Sequence, residues 1–477
     1  MSRPRGPAPA LLVAVAEVPA APADGTASFD RSVVRDAVVD GVLDALVHTS
    51  TPGRYTGAQV LLRLAGRPRT VLDVALPLVR ADVERVLAEL PASVLDVSAP
   101  AGPAPGPRPS IAVVVPTVVG RVDELDRLLT SLAVLDHPDV DVVLVDNRTT
   151  RTLHDPLPDL LARHPGVRCV REPRPGISAA RNAGAAATDA DVVAFTDDDV
   201  AVDPGWLSAL ADRFARFPDE LAVTGLVVPA ELETTAQLQY EAHYGGFGGT
   251  RTFEAVRISG SNRRGLAVVR YDDDRPPHIL PVYGVGAYGA GANMAFRRRE
   301  LLARGGFDTS LGTGTPACGG EDLAALVDVL WSGGAIGYEP AALVHHTHRR
   351  DAAGLERQLH GNGIGFTAML CALVVRDHRH ATALAALVPA ATVRLAVRTV
   401  NRLRRLDPAG VATARGAVLS APSTVPVPAA RFAALELSGF PVGPAAYARS
   451  RRRTARLSRT AATAASRGAV LPTGRPS

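Results

Sequence analysis

Three consecutive carboxylates, Asp197-Asp198-Asp199, follow a short apolar run, Val192 to Phe195, and Thr196. Like charges at that spacing repel, and a nearby cation relieves the cost. If the backbone there stays extended, Asp197 and Asp199 project to one side and Asp198 to the other. Oxygen ligands favour a hard cation, Mg²⁺ or Mn²⁺, shared with phosphate oxygens. The plainer alternative is a solvated loop, or a helix cap ahead of Pro204-Gly205-Trp206.

Other residues of the same kind stand at comparable places. Asp146-Asn147 closes the apolar run Val140 to Val145. A carboxylate there can accept a hydrogen bond from a ribose hydroxyl or a base N–H, or simply form a turn. Arg181 lies one turn into a helical stretch, Gly176 to Ala187, that precedes the acidic run. It can hold an anionic group or pair with the carboxylates, while Ala180 and Gly184 suit close helix packing. Glu321-Asp322 opens another helical run ending at Trp331, and His345, His346 and His348 cluster further on. Trp206 reads as a core residue. Tyr240 to Gly249 is aromatic and Gly-rich, a lid or an ordinary loop on equal terms. Gly284-Val-Gly-Ala-Tyr-Gly289 matches the dinucleotide fingerprint in letters only, because a strand-like run rather than a helix follows it.

These residues need a scaffold, and the pattern around them supplies one. Ile111 to Val115 is a continuous apolar run ending at Pro116-Thr117, as for a strand buried on both faces. A helix is predicted over Val122 to Leu135, with Leu125, Leu128, Leu129 and Leu132 on one face. Strands follow at Val140–Val145, Val167–Val170 and Val192–Phe195. Alternating strands and helices imply an α/β fold with a parallel sheet. Ligands in such sheets sit beyond the carboxyl ends of the strands, where Thr117, Asp146 and the acidic triplet all fall.

Outside this core, 1–98 reads as an α+β extension, with strand-like runs at Leu11–Ala16, Val60–Leu64 and Thr70–Leu76 and a helix-like run at Ala81–Leu90. The proline-rich segment 99–109 reads as a linker, 110–360 as the main domain and 361–477 as a helical, Arg-rich region. With 477 residues the chain has room for two or three domains, and its 47% hydrophobic residues can fill a large core. Aromatics are only 4%, so that core is built from Ala, Val and Leu. All basic residues are Arg, which with the abundant Ala, Gly and Pro suggests a GC-rich bacterial source. Three scattered cysteines offer no disulfide framework and fit a cytoplasmic setting. No secretory signal is expected from the short apolar stretch Ala10 to Ala16, and no uninterrupted run of about 18 apolar residues occurs. Net charge is +4, yet from Arg394 onward Asp407 and Glu436 are the only acids. That end suits a solvated helix or peripheral contact with an inner membrane face.

The ordered motifs from Ser110 to about His348 resemble a family 2 glycosyltransferase of the GT-A fold, a mostly parallel sheet flanked by helices. Pro116-Thr117, Asp146, the Gly-x-x-x-Ala-Arg-Asn-x-Gly helix around Arg181, the Asp-x-Asp of Asp197 and Asp199, and Gly320-Glu321-Asp322 match in order. Flanking segments such as Val60–Pro68 and Gly443–Ser450 look like those of long actinobacterial members. The resemblance implies an inverting transfer of sugar from a nucleoside diphosphate to an acceptor hydroxyl. Asp199 would bind Mn²⁺ or Mg²⁺ with Asp197 in support, and one of the three histidines, His346 first, would complete the set. Asp322 would act as general base and Glu321 would touch the acceptor. Thr117, Asp146, Arg181, Asp197 and Asn293 would line the substrates. The acceptor would be a small molecule, a lipid or a glycan, and no nucleic acid is expected. A sugar-phosphate nucleotidyltransferase is the competing enzyme, but Val118-Val-Gly-Arg121 is a poor triphosphate loop. A non-catalytic nucleotide-sugar binding protein is the other.

Overall fold

The structure is a computed structural model. It describes residues 10–18, 31–47, 54–91, 94–95, 106–138, 140–150, 154–244, 251–261, 265–272, 275–389 and 427–468. Most of the proline-rich segment, and residues 245–249 of the aromatic and Gly-rich stretch, lie outside these.

The N-terminal part is a three-stranded sheet, β1 (Leu11–Val18), β2 (Gly57–Leu64) and β3 (Arg67–Ala75), with helices α1 (Arg31–Val47) and α2 (Arg80–Ala88). β1 and β2 run parallel, β2 and β3 antiparallel. The sequence reading missed α1, because valines are stiff residues common in strands. Val34, Val38, Val42 and Leu46 nonetheless fall at helical spacing and are buried.

The large sheet gathers β4 (Ile111–Thr117), β5 (Asp141–Asp146), β6 (Val167–Arg171), β7 (Val192–Phe195), β8 (Val200–Val202), β9 (Glu220–Pro229), β10 (Val256–Ser261), β11 (Leu266–Tyr271), β12 (His278–Pro281), β13 (Met294–Arg297) and β14 (Ala335–His346). Its order is β12-β11-β10-β14-β9-β13-β7-β4-β5-β6, with β8 attached to β14. Pairing is parallel through β7, β4, β5 and β6. Beyond β7 it is mixed: β13 runs antiparallel to both its neighbours, and β9 and β14 are parallel. The parallel layer expected from the sequence is therefore one half of a mixed α/β sheet. Every residue of β4 is buried, which explains its unbroken apolar run. Pro116 is tolerated because β7 pairs only Ile111 to Val114.

Helices α4 (Leu157–Arg163) and α8 (Arg298–Ala303) are among the short helices that join its strands. Both faces of this sheet are covered. On one, α3 (Val122–Leu132) and α6 (Trp206–Arg216) bury Leu125, Leu128, Trp206 and Phe214 against Val113 and Val115. Each leucine so buried contributes about 1.5–3 kcal/mol. On the other, α5 (Ile177–Ala186) and α9 (Glu321–Trp331) pack with Val114, Phe195, Met294 and Leu326. A Cβ on Gly184 would stand 2.3 Å from Val114 Cγ1, so α5 lies on β4 only because that position is glycine.

The chain then forms α10 (Ala352–Arg376), α11 (Ala429–Gly439) and α12 (Gly443–Gly468). The boundary expected at 360 falls inside α10. That helix is long and apolar enough to cross a membrane by length and composition, although Glu356, Arg357 and His360 keep it from being an uninterrupted apolar run. Apolar and small residues raise its mean although polar ones interrupt it, and 44% of its most apolar window is buried within the protein. The sequence Val282–Ala287 is a 3₁₀ helix between β12 and the stretch before β13, so the fingerprint-like glycines follow a strand but do not open the α-helix that such a motif requires.

The N-terminal sheet docks on the large one. Leu11 N–H donates to Leu232 O at 2.9 Å, and Leu61 packs with Leu226, Val228 and Leu343. Arg63 pairs with Asp203 at 2.6 Å.

Candidate active site

Apolar strands end where the polar residues begin, and this brings the motifs together. β7 stops at Phe195, the triplet makes the turn, and β8 leaves to pair with the last residues of β14. His346 lies opposite Val200 in that pairing. Ligand atoms of Asp197, Asp199 and His346 all lie within 4.8 Å of one another. Asp199 Oδ1 faces His346 Nε2 at 3.3 Å, yet that buried oxygen has no hydrogen-bond partner. A buried carboxylate oxygen without a hydrogen-bond partner, beside a second carboxylate and an imidazole, suits a divalent cation such as Mn²⁺ or Mg²⁺. The triplet turns rather than staying extended, and Asp198 lies outside the cluster.

Charge around the cluster is finely placed. Burial, then the neighbouring acids against the opposing Arg181, push the Asp197 carboxyl up to about 6. Burial would raise Asp199 too, but neighbouring positive charge, Arg121 included, holds it below its ordinary value. Burial pushes His346 down to about 4, so at neutral pH it offers a bare nitrogen. Alternation at the end of β14 turns His345 toward Asp203 and Arg63 and His346 the other way, and His348, just past the strand, lies 3.3 Å from His346.

Arg181 is the hub of the site. It is buried, and it donates to Glu321 Oε1 at 2.8 Å, to Asp197 Oδ1 at 3.0 Å and to Gly291 O at 3.1 Å. Of its two expected tasks, pairing with carboxylates is the one the structure shows. Glu321 differs from expectation: its carboxylate is buried against Arg181 rather than open to an acceptor. Burial, then repulsion from Asp322, pushes it up to about 7. Gly320, with φ of 87°, caps α9 in the left-handed region and so aims both acids. Asp322 is partly exposed, and its Oδ2 accepts from Gly291 N–H at 2.8 Å.

Three other expected residues are engaged by the protein. Thr117 Oγ1 donates to Asp198 Oδ2 at 2.7 Å. Asp146 is fully buried and accepts from Arg148 at 2.8 and 2.9 Å and from Arg171 at 2.9 Å. Burial would raise its carboxyl, but those arginines hold it below the ordinary value. Asn293 is placed in the core, not among substrates. Its amide donates to Leu226 O and Ala342 O at 3.0 and 2.7 Å and accepts from Trp206 Nε1 at 2.9 Å. Nor do Tyr240 and its neighbours form a loop tip, for Thr235–Tyr244 is helix α7.

Residues that the sequence did not single out complete the picture. Arg121, at the N-cap of α3, reaches Asp199 at 2.7 Å and Asp198 at 3.3 Å, and Arg349 stands 3.9 Å from Asp199. Glu241 on α7 meets His348 at 3.3 Å. No local pattern marks these contacts.

The mixed α/β sheet thus carries its carboxylate cluster beyond the end of β7. Residues 112–267 match the model of Glycosyl transferase family 2. Over 292 residues it is 30% identical to the pre-mycofactocin glycosyltransferase of Mycobacterium tuberculosis, covering 61% of this chain and 53% of that one. It is also 30% identical over 137 residues to a glucosyl-dolichyl phosphate glucuronosyltransferase of Haloferax volcanii, covering 29% and 36%. The chain thus spans about half the length, or less, of these curated relatives. Among solved structures, a mannosyltransferase from Pyrobaculum calidifontis in complex with GDP-Man and Mn²⁺ is similar at a TM-score of 0.40 and 19% identity, covering 68% of this chain and 86% of that one.

Proposed function

We propose that this protein is an inverting glycosyltransferase that moves a sugar from a nucleoside diphosphate to an acceptor hydroxyl with the help of Mn²⁺ or Mg²⁺. The observation that carries this reading is the convergence of Asp197, Asp199 and His346 around a buried carboxylate oxygen that lacks a partner. These three residues would hold the cation, which when bound supplies positive charge to the departing diphosphate. Arg181 keeps Asp197 oriented and links it to the start of α9. Asp322, next to that hub yet partly open to solvent, takes the proton from the acceptor hydroxyl as the new bond forms. A single base on the acceptor side suffices for direct displacement with inversion. The match to Glycosyl transferase family 2 and the names of the relatives support the reaction class.

The basic helix α12 supports a second element, contact with an anionic membrane face from a cytoplasmic position. Arg449, Arg452, Arg453 and Arg456 follow helical spacing and are exposed, while Ala446, Tyr447 and Ser450 on the other side are buried. A lipid or glycan acceptor fits that placement, as does a small molecule.

The test is release of nucleoside diphosphate from a panel of sugar nucleotides, with Mn²⁺ or with EDTA. Turnover should require the metal, Asp199→Asn should abolish metal binding, and Asp198→Asn should reduce it far less. Asp322→Asn should keep donor and metal binding but lose transfer. Full turnover in EDTA, or transfer by the Asp322→Asn protein at the wild-type rate, would sink the proposal.

A further inference from the structure

Two arginines stand beside the acidic turn without a task in the proposed mechanism. Arg121 Nη1 lies 2.7 Å from Asp199 Oδ2 and its Nη2 3.3 Å from Asp198 Oδ1, and Arg349 Nη1 lies 3.9 Å from the same Asp199 oxygen. They come from the segments that follow β4 and β14, at the carboxyl ends of those strands, where α/β sheets hold their ligands. The Arg121 and Arg349 side chains are 33% and 43% exposed, against 1% for Arg181. Arg181 is thus an enclosed, permanent counter-ion, whereas these two can meet a molecule arriving from solvent. The turn that carries Arg121 is itself tied to the acids. Val119 has a φ of 54°, a costly conformation for a β-branched residue. It is held there by Thr117 Oγ1, which accepts from Val119 N–H at 2.9 Å and donates to Asp198 Oδ2 at 2.7 Å.

We propose that Arg121 and Arg349 change partner when the site fills, leaving Asp199 for the diphosphate of the donor. The inference rests on the reading of Asp197, Asp199 and His346 as the cation site of an enzyme that uses a nucleotide sugar. Charge gives the reason. Without a cation, the carboxylates of Asp198 and Asp199 are balanced by the two guanidinium groups. A divalent ion on Asp199 brings further positive charge to the same place, and the arginines lose part of their attraction to that acid. Asp199 Oδ1 is buried and has no hydrogen-bond partner, so it can take the ion while Oδ2 is still held by Arg121. The exchange therefore needs no prior opening of the pair. The excess positive charge then favours an anion. Guanidinium groups suit a diphosphate, because their planar forks match phosphate oxygens in charge-assisted hydrogen bonds. A nucleoside diphosphate is thus recognised by the ion and the two arginines together, and each of the two ligands favours binding of the other.

The experiment uses the full chain, titrated by calorimetry with Mn²⁺ alone and then with UDP and with GDP at saturating Mn²⁺. In Arg121→Met, Mn²⁺ alone should bind about fivefold more tightly. The diphosphate that wild type binds should bind this variant about tenfold more weakly. The two effects have opposite signs, whereas a variant that merely loosens the turn weakens both. Arg349→Met should weaken diphosphate binding in the same direction, and its more exposed side chain covers the case in which Arg121→Met fails to fold. Unchanged diphosphate affinity in either folded variant, or weaker Mn²⁺ binding by Arg121→Met, overturns the inference alone. A wild type that binds Mn²⁺ but neither diphosphate overturns the donor reading as well, and one that binds no Mn²⁺ overturns the cation site as well.

Discussion

Arg121 Nη1 stands 2.7 Å from Asp199 Oδ2, on the carboxylate that the proposed cation needs. The arginine comes from the turn after β4 and also touches Asp198 at 3.3 Å. Without metal it supplies part of the positive charge that the acids require. A cation entering the site must share Asp199 with it or displace it.

Arg121→Met should therefore raise Mn²⁺ affinity in the absence of nucleotide. The arginine side chain is 33% exposed, so the pair is screened and worth at most about 1 kcal/mol, roughly fivefold in affinity. Calorimetric titration of the two proteins checks this. A lower affinity in the variant would mean that Arg121 assists the metal rather than competes with it.

Arg181 has the opposite character, for it is buried between Asp197 and Glu321. Arg181→Met would leave two carboxylates without their shared cation in a site that water barely reaches. Loss of one partner from a buried pair costs about 3–5 kcal/mol, so urea unfolding should show destabilisation of that order. Adding Glu321→Gln should restore part of it, because the two residues are coupled. Simple additivity would show that they are not.

The contrast between Arg121 and Arg181 also shows what the sequence reveals. Arg181 is legible because it lies in a small-residue helix whose Gly184 must touch β4, and because its motif ends one strand before the acidic turn. Strands β4, β5 and β7 are legible for the same reason, as continuous apolar runs that end in polar residues. Arg121 is one arginine among 52 basic residues, and no periodicity separates it from the others. Glu241 is 107 residues from His348, a contact that only the crossing of α7 over the end of β14 creates. Asn293 misleads in the other direction: its polar side chain suggests a ligand site, yet it satisfies two carbonyls and an indole inside the core. The three histidines stay ambiguous until β14 is known to end at His346: alternation then separates His345 from His346, and a direct contact places His348 beside His346.

Glu321 should leave a mark on the pH dependence of stability. Burial, then the charge of Asp322, moves its carboxyl up to about 7 in the folded protein, against an ordinary value of 4.5. As pH rises above 4.5 the unfolded chain gives up this proton first, and the folded state is left binding more protons. Stability then falls with pH. The loss from this group begins near pH 4.5 and is complete once pH has passed about 7. Unfolding free energies of wild type and Glu321→Gln, measured in EDTA from pH 4.5 to 8, should diverge over that window, with wild type losing ground as pH rises. A difference curve that is flat, or that slopes the other way, would refute the assignment.

The last prediction concerns α12. Arg449, Arg451, Arg452, Arg453, Arg456 and Arg459 are all exposed on a helix that contains no acidic residue. Tyr447 fixes the opposite side of this helix to the main domain through a hydrogen bond to Asp308 at 3.0 Å. The basic side is thus presented outward on a tethered helix rather than on a loose end. Each basic residue near an anionic leaflet contributes about 1 kcal/mol, and salt screens the effect. The full chain should cosediment with vesicles containing phosphatidylglycerol but not with neutral ones, and high salt should release it. Replacing Arg452, Arg453 and Arg456 by glutamine should weaken vesicle binding at least about tenfold, with the melting temperature little changed because none of the three is buried. Equal binding to neutral and anionic vesicles, or no loss in the triple variant, would leave α12 as a solvated surface.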